Sequence, residues 1–303
     1  MRIGYPCINR SIGCRGDRTF RLASYSEDRF IATVESNLSC LKNILTWNRE
    51  YGLLFFRITS DLIPFASHPV CTFPWQEYFR DELTAIGRSL SGSGIRISMH
   101  PDQFIILNSP EREITLRSVA ELQYHADLLD AMGLDSRAKI QLHIGGVYGE
   151  RERSRERFIR RWADLDPPIQ KRLVIENDEQ RFAIADCLII REETGIPVLF
   201  DVFHHRCYNH GEPVGEVLAW VSATWRQGDG TMMVDYSSQH PGKRRGAHAE
   251  HIDTGDFLRF LDLSAPYDMD IMLEIKDKEA SAVAAIDAAG DDPRLVRSVP
   301  VNR

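Results

Sequence analysis

The sequence predicts a single (β/α)8 barrel, and three observations predict it. Eight short apolar runs alternate with eight helical patterns along the 303 residues. No linker rich in glycine, proline or serine divides the series. Titratable residues recur where the apolar runs stop, and a barrel gathers all strand ends on one face. A parallel barrel closes at eight units; a doubly wound sheet split over two domains is the alternative. One domain is expected over residues 1–303, with the barrel over about 1–290 and a short tail, 291–303.

The elements follow in order. Arg2 to Tyr5 reads as a first strand, ended by Pro6, and a long loop to Tyr25 carries Arg10, Arg15, Arg18 and Arg21. Phe30 to Tyr51 has apolar residues at Ile31, Val34, Leu38, Leu41, Ile44 and Leu45, a helical period stopped by Gly52. Leu53 to Ile58 is the second strand and Trp75 to Leu90 the second helix, with a turn over Ser91-Gly-Ser-Gly. Ile95 to Met99 and Lys139 to Leu142 are strands three and four, and Ile114 to Met132 is the helix between them. Glu150 to Ala163 alternates acidic and basic residues and reads as a solvated helix before Pro167-Pro168. Strand five is Leu173 to Ile175, followed by a helix from Arg181 to Thr194. Strand six is Val198 to Val202, then a helix from Val214 to Trp225. Met232 to Tyr236 and Ile271 to Ile275 are the last strands; helices Phe257 to Leu263 and Glu279 to Ala289 follow them.

Hydrophobic residues make up 43 % of the chain, ample for such a core, and the net charge of -7 gives no support to a broadly basic nucleic-acid binder. No stretch approaches the ~18 apolar residues of a membrane helix, and MRIGYPCINR has no signal-peptide core. The six cysteines contain no CxxC and are expected to be free thiols, which is cytoplasmic usage.

The polar residues then carry the chemistry. Of ten histidines, nine (His68, His100, His143, His204, His205, His210, His240, His248, His251) fall between a strand end and the next helix, and only His125 lies in a helix. Glu176 follows strand five, Asp201 ends strand six, Asp235 lies in strand seven and Glu274 in strand eight. One such residue is most simply a loop residue. A repeated series on one barrel face is a metal site. Imidazole with carboxylate suits zinc, manganese or iron. The count suits two or three ions with Glu176 bridging. A buried carboxylate at a strand end needs such a partner.

The motifs RIGYPCIN, MHPDQF (99–104), LHIGG (142–146), VIEND (174–178), FDVFHH (200–205), YSSQ (236–239), GAHAEHI (246–252) and MLEIKDKE (272–279), with His68, resemble the ultraviolet-damage endonuclease family. That family shares its barrel with endonuclease IV and the xylose-isomerase-like enzymes. The resemblance implies DNA repair by excision: hydrolysis of the backbone immediately 5′ to ultraviolet photoproducts, and possibly other distorting lesions, with a metal cluster often filled by manganese. Zinc or magnesium are the alternatives. It assigns His68, His100, His143, Glu176, Asp201, His204, Asp235, His248 and Glu274 to the metals, with Glu176, His143 and Glu274 as catalytic residues. It places Tyr5, Asn9, Gln103, Phe104, Lys243, Arg244, Arg245 and Lys276 on DNA. Two departures stand out. Met233 and Asp235 occupy a Lys-x-His pattern, and Phe104 stands where tyrosine is commoner.

The chemistry is consistent with that expectation. Phosphodiester hydrolysis needs a nucleophile at neutral pH and charge relief on both oxygens, which paired ions supply. No phosphate-cradling GxxxxGK[ST] competes. Arg10, Arg15, Arg18, Lys243–Arg245, Lys276 and Lys278 follow strands one, seven and eight, on the metal face. Damaged duplex DNA is the expected partner, with a monomeric protein in the cytoplasm, at the nucleoid when damage occurs. A sugar isomerase on the same barrel predicts a compact pocket with no aromatic wedge. A non-catalytic binding module predicts metal and DNA binding without nicking.

Overall fold

In the computed structural model the described residues are 1–297, so the end of the expected tail lies outside them. Eight parallel strands close a barrel in sequence order: β1 (Ile3–Pro6), β2 (Phe55–Ile58), β3 (Arg96–Met99), β4 (Lys139–His143), β5 (Leu173–Glu176), β6 (Val198–Asp201), β7 (Met232–Tyr236) and β8 (Met269–Leu273). The sheet closes by pairing Ile3 with Ile271, so an open doubly wound sheet is ruled out.

The helices are α1 (Glu27–Glu50), α2 (Trp75–Tyr78), α3 (Arg80–Ser93), α4 (Arg112–Ala131), α5 (Arg151–Ala163), α6 (Pro167–Arg172), α7 (Ile184–Thr194), α8 (Val202–Cys207), α9 (Val214–Ser222), α10 (Thr254–Leu263) and α11 (Glu279–Ala288). Helix α1 starts where Ser26 accepts the backbone N–H of Arg29, with Glu27 and Asp28 in its first turn. Its Phe30, Val34, Leu38 and Leu41 are buried, as the helical period requires.

Several boundaries move for local reasons. The second helix breaks at Phe79 into α2 and α3, and α3 runs on through the expected turn to Ser93, capped by left-handed Gly94. Prolines 167 and 168 open α6 instead of interrupting the chain, because the first helical turn needs no N–H from them. The helix expected from Arg181 starts only at Ile184. Before it, Asp178 takes the N–H groups of Gln180, Arg181 and Phe182 in a turn. Val202 opens α8 rather than ending β6, so His204 and His205 are helical.

The register sorts the barrel interior into layers, because residues paired across parallel strands share a face. Phe55, Val174, Leu199, Met233 and Met272 form a buried apolar cluster of their own inside the barrel. Gly4 faces the same level; a Cβ there would lie 1.6 Å from the Phe55 carbonyl oxygen, so no larger residue fits. Below this layer lie Arg96, Lys139 and Asp270; above it lie Arg57, Gln141, Glu176, Asp201 and Asp235. The outward residues, such as Phe56, Ile97, Ile140, Ile175, Phe200, Val234 and Ile271, join the large core under the helices.

The cysteine expectation needs correction. Cys14 and Cys40 form a disulfide; Cys7, Cys71, Cys187 and Cys207 are free. The first loop folds back along α1 and brings together residues 26 apart in the chain, a proximity no local spacing announces.

Candidate metal centre and nucleic-acid face

Residues at the carboxyl ends of the strands build the site. His143, Glu176 and Asp201 end β4, β5 and β6; Asp235 lies one residue from the end of β7. His100 follows β3 and Glu274 follows β8 directly. Ligand atoms of His100, His143 and Glu176 lie within 4.8 Å of one another, and so do those of Glu176, Asp201 and Asp235. Glu176 belongs to both groups.

The geometry is crowded. His143 Nε2 and His100 Nε2 lie 2.8 and 3.0 Å from the same oxygen, Glu176 Oε1. The side chain of Gln141 donates to Glu176 Oε2 and, at 2.6 Å, to Asp235 Oδ2. Asp201 caps α8 by accepting the His204 N–H at 2.7 Å, and its other oxygen lies 3.2 Å from His204 Nδ1. Asn177 locks this corner by bonding both the N–H and the carbonyl of Asp201. His248 turns its Nδ1 to Ser237 and the Glu274 carbonyl, with its ring 6.4 Å from that of His204.

The charges do not balance. Burial alone would lift Glu176, but His143 and His100 hold it well below the usual carboxylate range. Burial pushes Asp201 up to about 7, with Glu274 and Glu176 adding to it against His204. Burial would lower His204, yet Asp201, Glu176 and Glu274 raise it to about 10. Burial also raises Asp235 well above its ordinary value, against the pull of Arg57. Burial opposes ionisation of Glu274 too, and there Arg57 and His248 win, holding it low. Asp235 Oδ1 is buried without a hydrogen-bond partner. Buried like charges with an orphaned oxygen are what a divalent cation relieves.

Sequence reasoning missed three positioning residues. Arg57 donates to Asp235 at 2.7 Å, to Gln141 at 2.8 Å and to Glu274. Gln141 and Asn177 are the other two. For Arg57 and Gln141 the signal was a polar residue flanked by apolar ones inside FFRI and KIQLH; strand alternation puts both on the face shared with Glu176.

The remaining expected residues scatter. His68 is exposed in the loop after β2, where its Nδ1 accepts the Val70 N–H, and it joins neither ligand group. Tyr5 and Asn9 do not face outward as DNA contacts would: both are buried, Asn9 donating to the Tyr5 hydroxyl and Tyr5 to Asn48. They shape the first loop from beneath. His251, one of the nine histidines expected between a strand end and the next helix, is exposed and sits 2.8 Å from Asp277. By contrast Phe104 is 73 % exposed, so it is not a core residue. A cleft of about 390 Å³ over the site is lined by His100, His143 and Glu274, with Gln103, Lys276 and Lys278 at its edge. Lys243, Arg244 and Arg245 are exposed on the loop after β7, and Lys276 and Lys243 lie 2.7 and 3.8 Å from Glu250. The α5 arginines are less solvated than expected: Arg151 and Arg155 both pair with Asp186.

A closed parallel barrel with its titratable cluster at the carboxyl ends of the strands defines a barrel enzyme built like other members of that fold. Endonuclease IV from Thermus thermophilus (18 % identity, TM-score 0.56, covering 82 % of this chain and 93 % of that one) and D-psicose 3-epimerase from Clostridium cellulolyticum (13 %, 0.54, 82 % and 91 %) share the fold. The particular family is closer. The UV-endonuclease UvdE model matches residues 1–290, and the chain belongs to that family. A UV DNA damage endonuclease from Clostridium perfringens is 38 % identical over 98 % of this chain and 73 % of its own length. One from Bacillus cereus is 32 % identical over 95 % and 94 %. The crystal structure of SacUVDE is 46 % identical, covers 96 % of this chain and 98 % of that one, and has a TM-score of 0.92.

Proposed function

We propose that this chain is a metal-dependent DNA repair endonuclease that hydrolyses the backbone immediately 5′ to ultraviolet photoproducts. The observation that carries the reading is the convergence of His100, His143, Glu176, Asp201 and Asp235 at the barrel mouth, in a chain matched from end to end by UV-endonuclease relatives.

The donor set fits divalent ions, manganese first, with zinc or magnesium also suited to imidazole and carboxylate. Two ring nitrogens crowd one oxygen of Glu176, and Asp235 Oδ1 lacks a partner. His100, His143 and Glu176 would hold one ion; Glu176, Asp201 and Asp235 another, with His204, His248 and Glu274 close by. Bound ions supply a water of lowered pKa and charge relief on the phosphate. The chain's own residues do the rest. Gln141 and Asn177 fix the carboxylates, so little reorganisation is needed on loading. Lys243, Arg244, Arg245 and Lys276 reach phosphates, which lets an acidic protein grip DNA locally. Gln103 and Phe104 project as a wedge into the duplex where a photoproduct has weakened stacking.

A sugar-epimerase reading is not favoured, because the cleft is rimmed by lysines and flanked by an exposed aromatic instead of closing into a compact pocket. The test is nicking of an end-labelled duplex with one photoproduct, with manganese, magnesium or chelator added. A single cut 5′ to the lesion that chelator abolishes is expected. Metal-independent cutting, or none with any ion, would overturn the reading.

A further inference from the structure

We infer that Lys278 is a catalytic cation of the cleft, its ammonium meeting a phosphate oxygen of the strand to be cut. The inference rests on the endonuclease reading above and deepens it with a substrate contact that the chain itself supplies.

The backbone is the first observation. Among the described residues, four that are not glycine have a positive φ: Cys7, Phe65, Tyr148 and Lys278. Two of them, Cys7 and Lys278, line the cleft over the candidate metal centre. At Lys278 φ is 57° and ψ is -113°, outside the small left-handed basin open to residues with a side chain. Such a conformation persists only where the surroundings impose it, and it collects at functional sites.

Here it is imposed from both sides. Before Lys278, the N–H groups of Lys276 and Asp277 bond the carbonyls of Ala249 and Glu250, each at 3.2 Å. After it, the buried Glu279 carboxylate accepts the Arg10 N–H at 2.9 Å and the Ser11 hydroxyl at 2.7 Å. The chain turns between these anchors at Lys278. A glycine would make that turn without strain; a lysine keeps the strain and adds a charged side chain to the cleft.

The charges around it are the third observation. Lys276 is held by Glu250 at 2.7 Å. Glu274, in the same cleft as Lys278, is taken by Arg57. Among the described residues no carboxylate lies within ion-pair reach of the Lys278 ammonium. Cys7 offers no counter-charge, because burial pushes its thiol up against the pull of Lys278 and Arg57. An ammonium with three donors and no counter-ion, in a cleft shared with His100, His143 and Glu274, fits an anionic phosphate. A cation fixed there in advance stabilises charge building on the phosphate without moving at the moment of reaction.

The test compares the wild type, Lys278→Met and Lys278→Gly, each loaded with manganese, on the end-labelled photoproduct duplex. Both variants should keep the wild-type metal content and lose roughly 100-fold or more in single-turnover nicking rate. The salt dependence of duplex binding should flatten by about one unit of log–log slope. Lys278→Gly separates function from folding: with the strain removed, its thermal midpoint should hold or rise while nicking stays low. Wild-type nicking in either variant, or an unchanged salt slope, would overturn the inference and leave the endonuclease reading standing. Loss of bound manganese would overturn it too, by making the defect a damaged metal centre. So would a lower midpoint in Lys278→Gly, which would make the residue structural. A wild type that never nicks would overturn the endonuclease reading and this inference with it.

Discussion

The two ends of the barrel interior are both charged, and they are built on opposite plans. At the bottom, Asp270 is held by Arg96 at 2.9 Å and Arg2 at 3.1 Å, and Lys139 by Asp229 at 2.6 Å. Spare donors there reach carbonyls: Arg96 bonds Asp229 and Thr231, and Lys139 bonds Lys171. At the mouth, Arg57 pairs with Asp235 and Glu274, Glu176 lies against His143 and His100, and Asp201 against His204, yet Asp235 Oδ1 has no partner. The difference teaches what each end is for. A buried network in which every charged group has a partner fixes a structure. One that crowds buried carboxylates and orphans an oxygen could hold a metal ion.

The sharpest way to break this contrast is to remove one charge from each end. Glu176→Gln keeps the shape and deletes the bridging charge. Nicking should fall by at least ~10³-fold, the equivalent of about 4 kcal/mol of transition-state stabilisation. Bound metal should fall with it while circular dichroism stays native; full activity at full metal content would sink the assignment. At the other end, Asp270→Ala strands Arg96 in the interior. Urea unfolding should show a loss of about 3–5 kcal/mol, with nicking per folded molecule and metal content unchanged. If the two variants exchanged phenotypes, the division of labour would be wrong.

A smaller effect separates the cluster from its rim. Base–aromatic contact is worth about 1–3 kcal/mol, so Phe104→Ala should weaken binding to damaged duplex roughly 5- to 150-fold. Intact duplex and metal content should hardly respond. Equal losses on both duplexes would make Phe104 a generic contact. The smallest effect concerns pH. Burial raises Asp201 to about 7, so the metal-free protein holds that proton below about 7 and an incoming ion must expel it. Manganese affinity should therefore fall at least about tenfold per pH unit as pH drops below about 7. Titrations from pH 8 down to 5.5 would show it; a flat profile would remove Asp201 from the ligands.

The strands were legible because buried parallel strands are short apolar runs, and the clustered His, Glu and Asp residues because they stand where such runs stop. Arg57 and Gln141 were not. A single charged or amide residue within a four- or five-residue run does not reveal which face it takes until neighbouring strands fix the register. The resemblance placed Tyr5 and Asn9 on DNA; in the fold both are buried, Tyr5 bonding Asn48 of α1, 43 residues away in the chain, and Asn9 bonding Tyr5. The Cys14–Cys40 bond is hidden for the same reason. His68 matched a motif, but the loop holding it is shaped by Phe65 and Val70 and leaves the ring outside. What sequence could not supply was proximity created by the fold.

The apolar layer of Phe55, Val174, Leu199, Met233 and Met272 has a consequence for how this protein can change. On β4, Lys139 and His143 are four residues apart, about 13 Å at ordinary strand rise. Substitutions that far apart, sharing no partner, usually combine additively. Stabilising changes at the foot can therefore be accumulated first and activity-altering changes at the mouth made afterwards, each screened alone. A polar residue at Met233 would bridge the layer, and the two ends would then have to be optimised together.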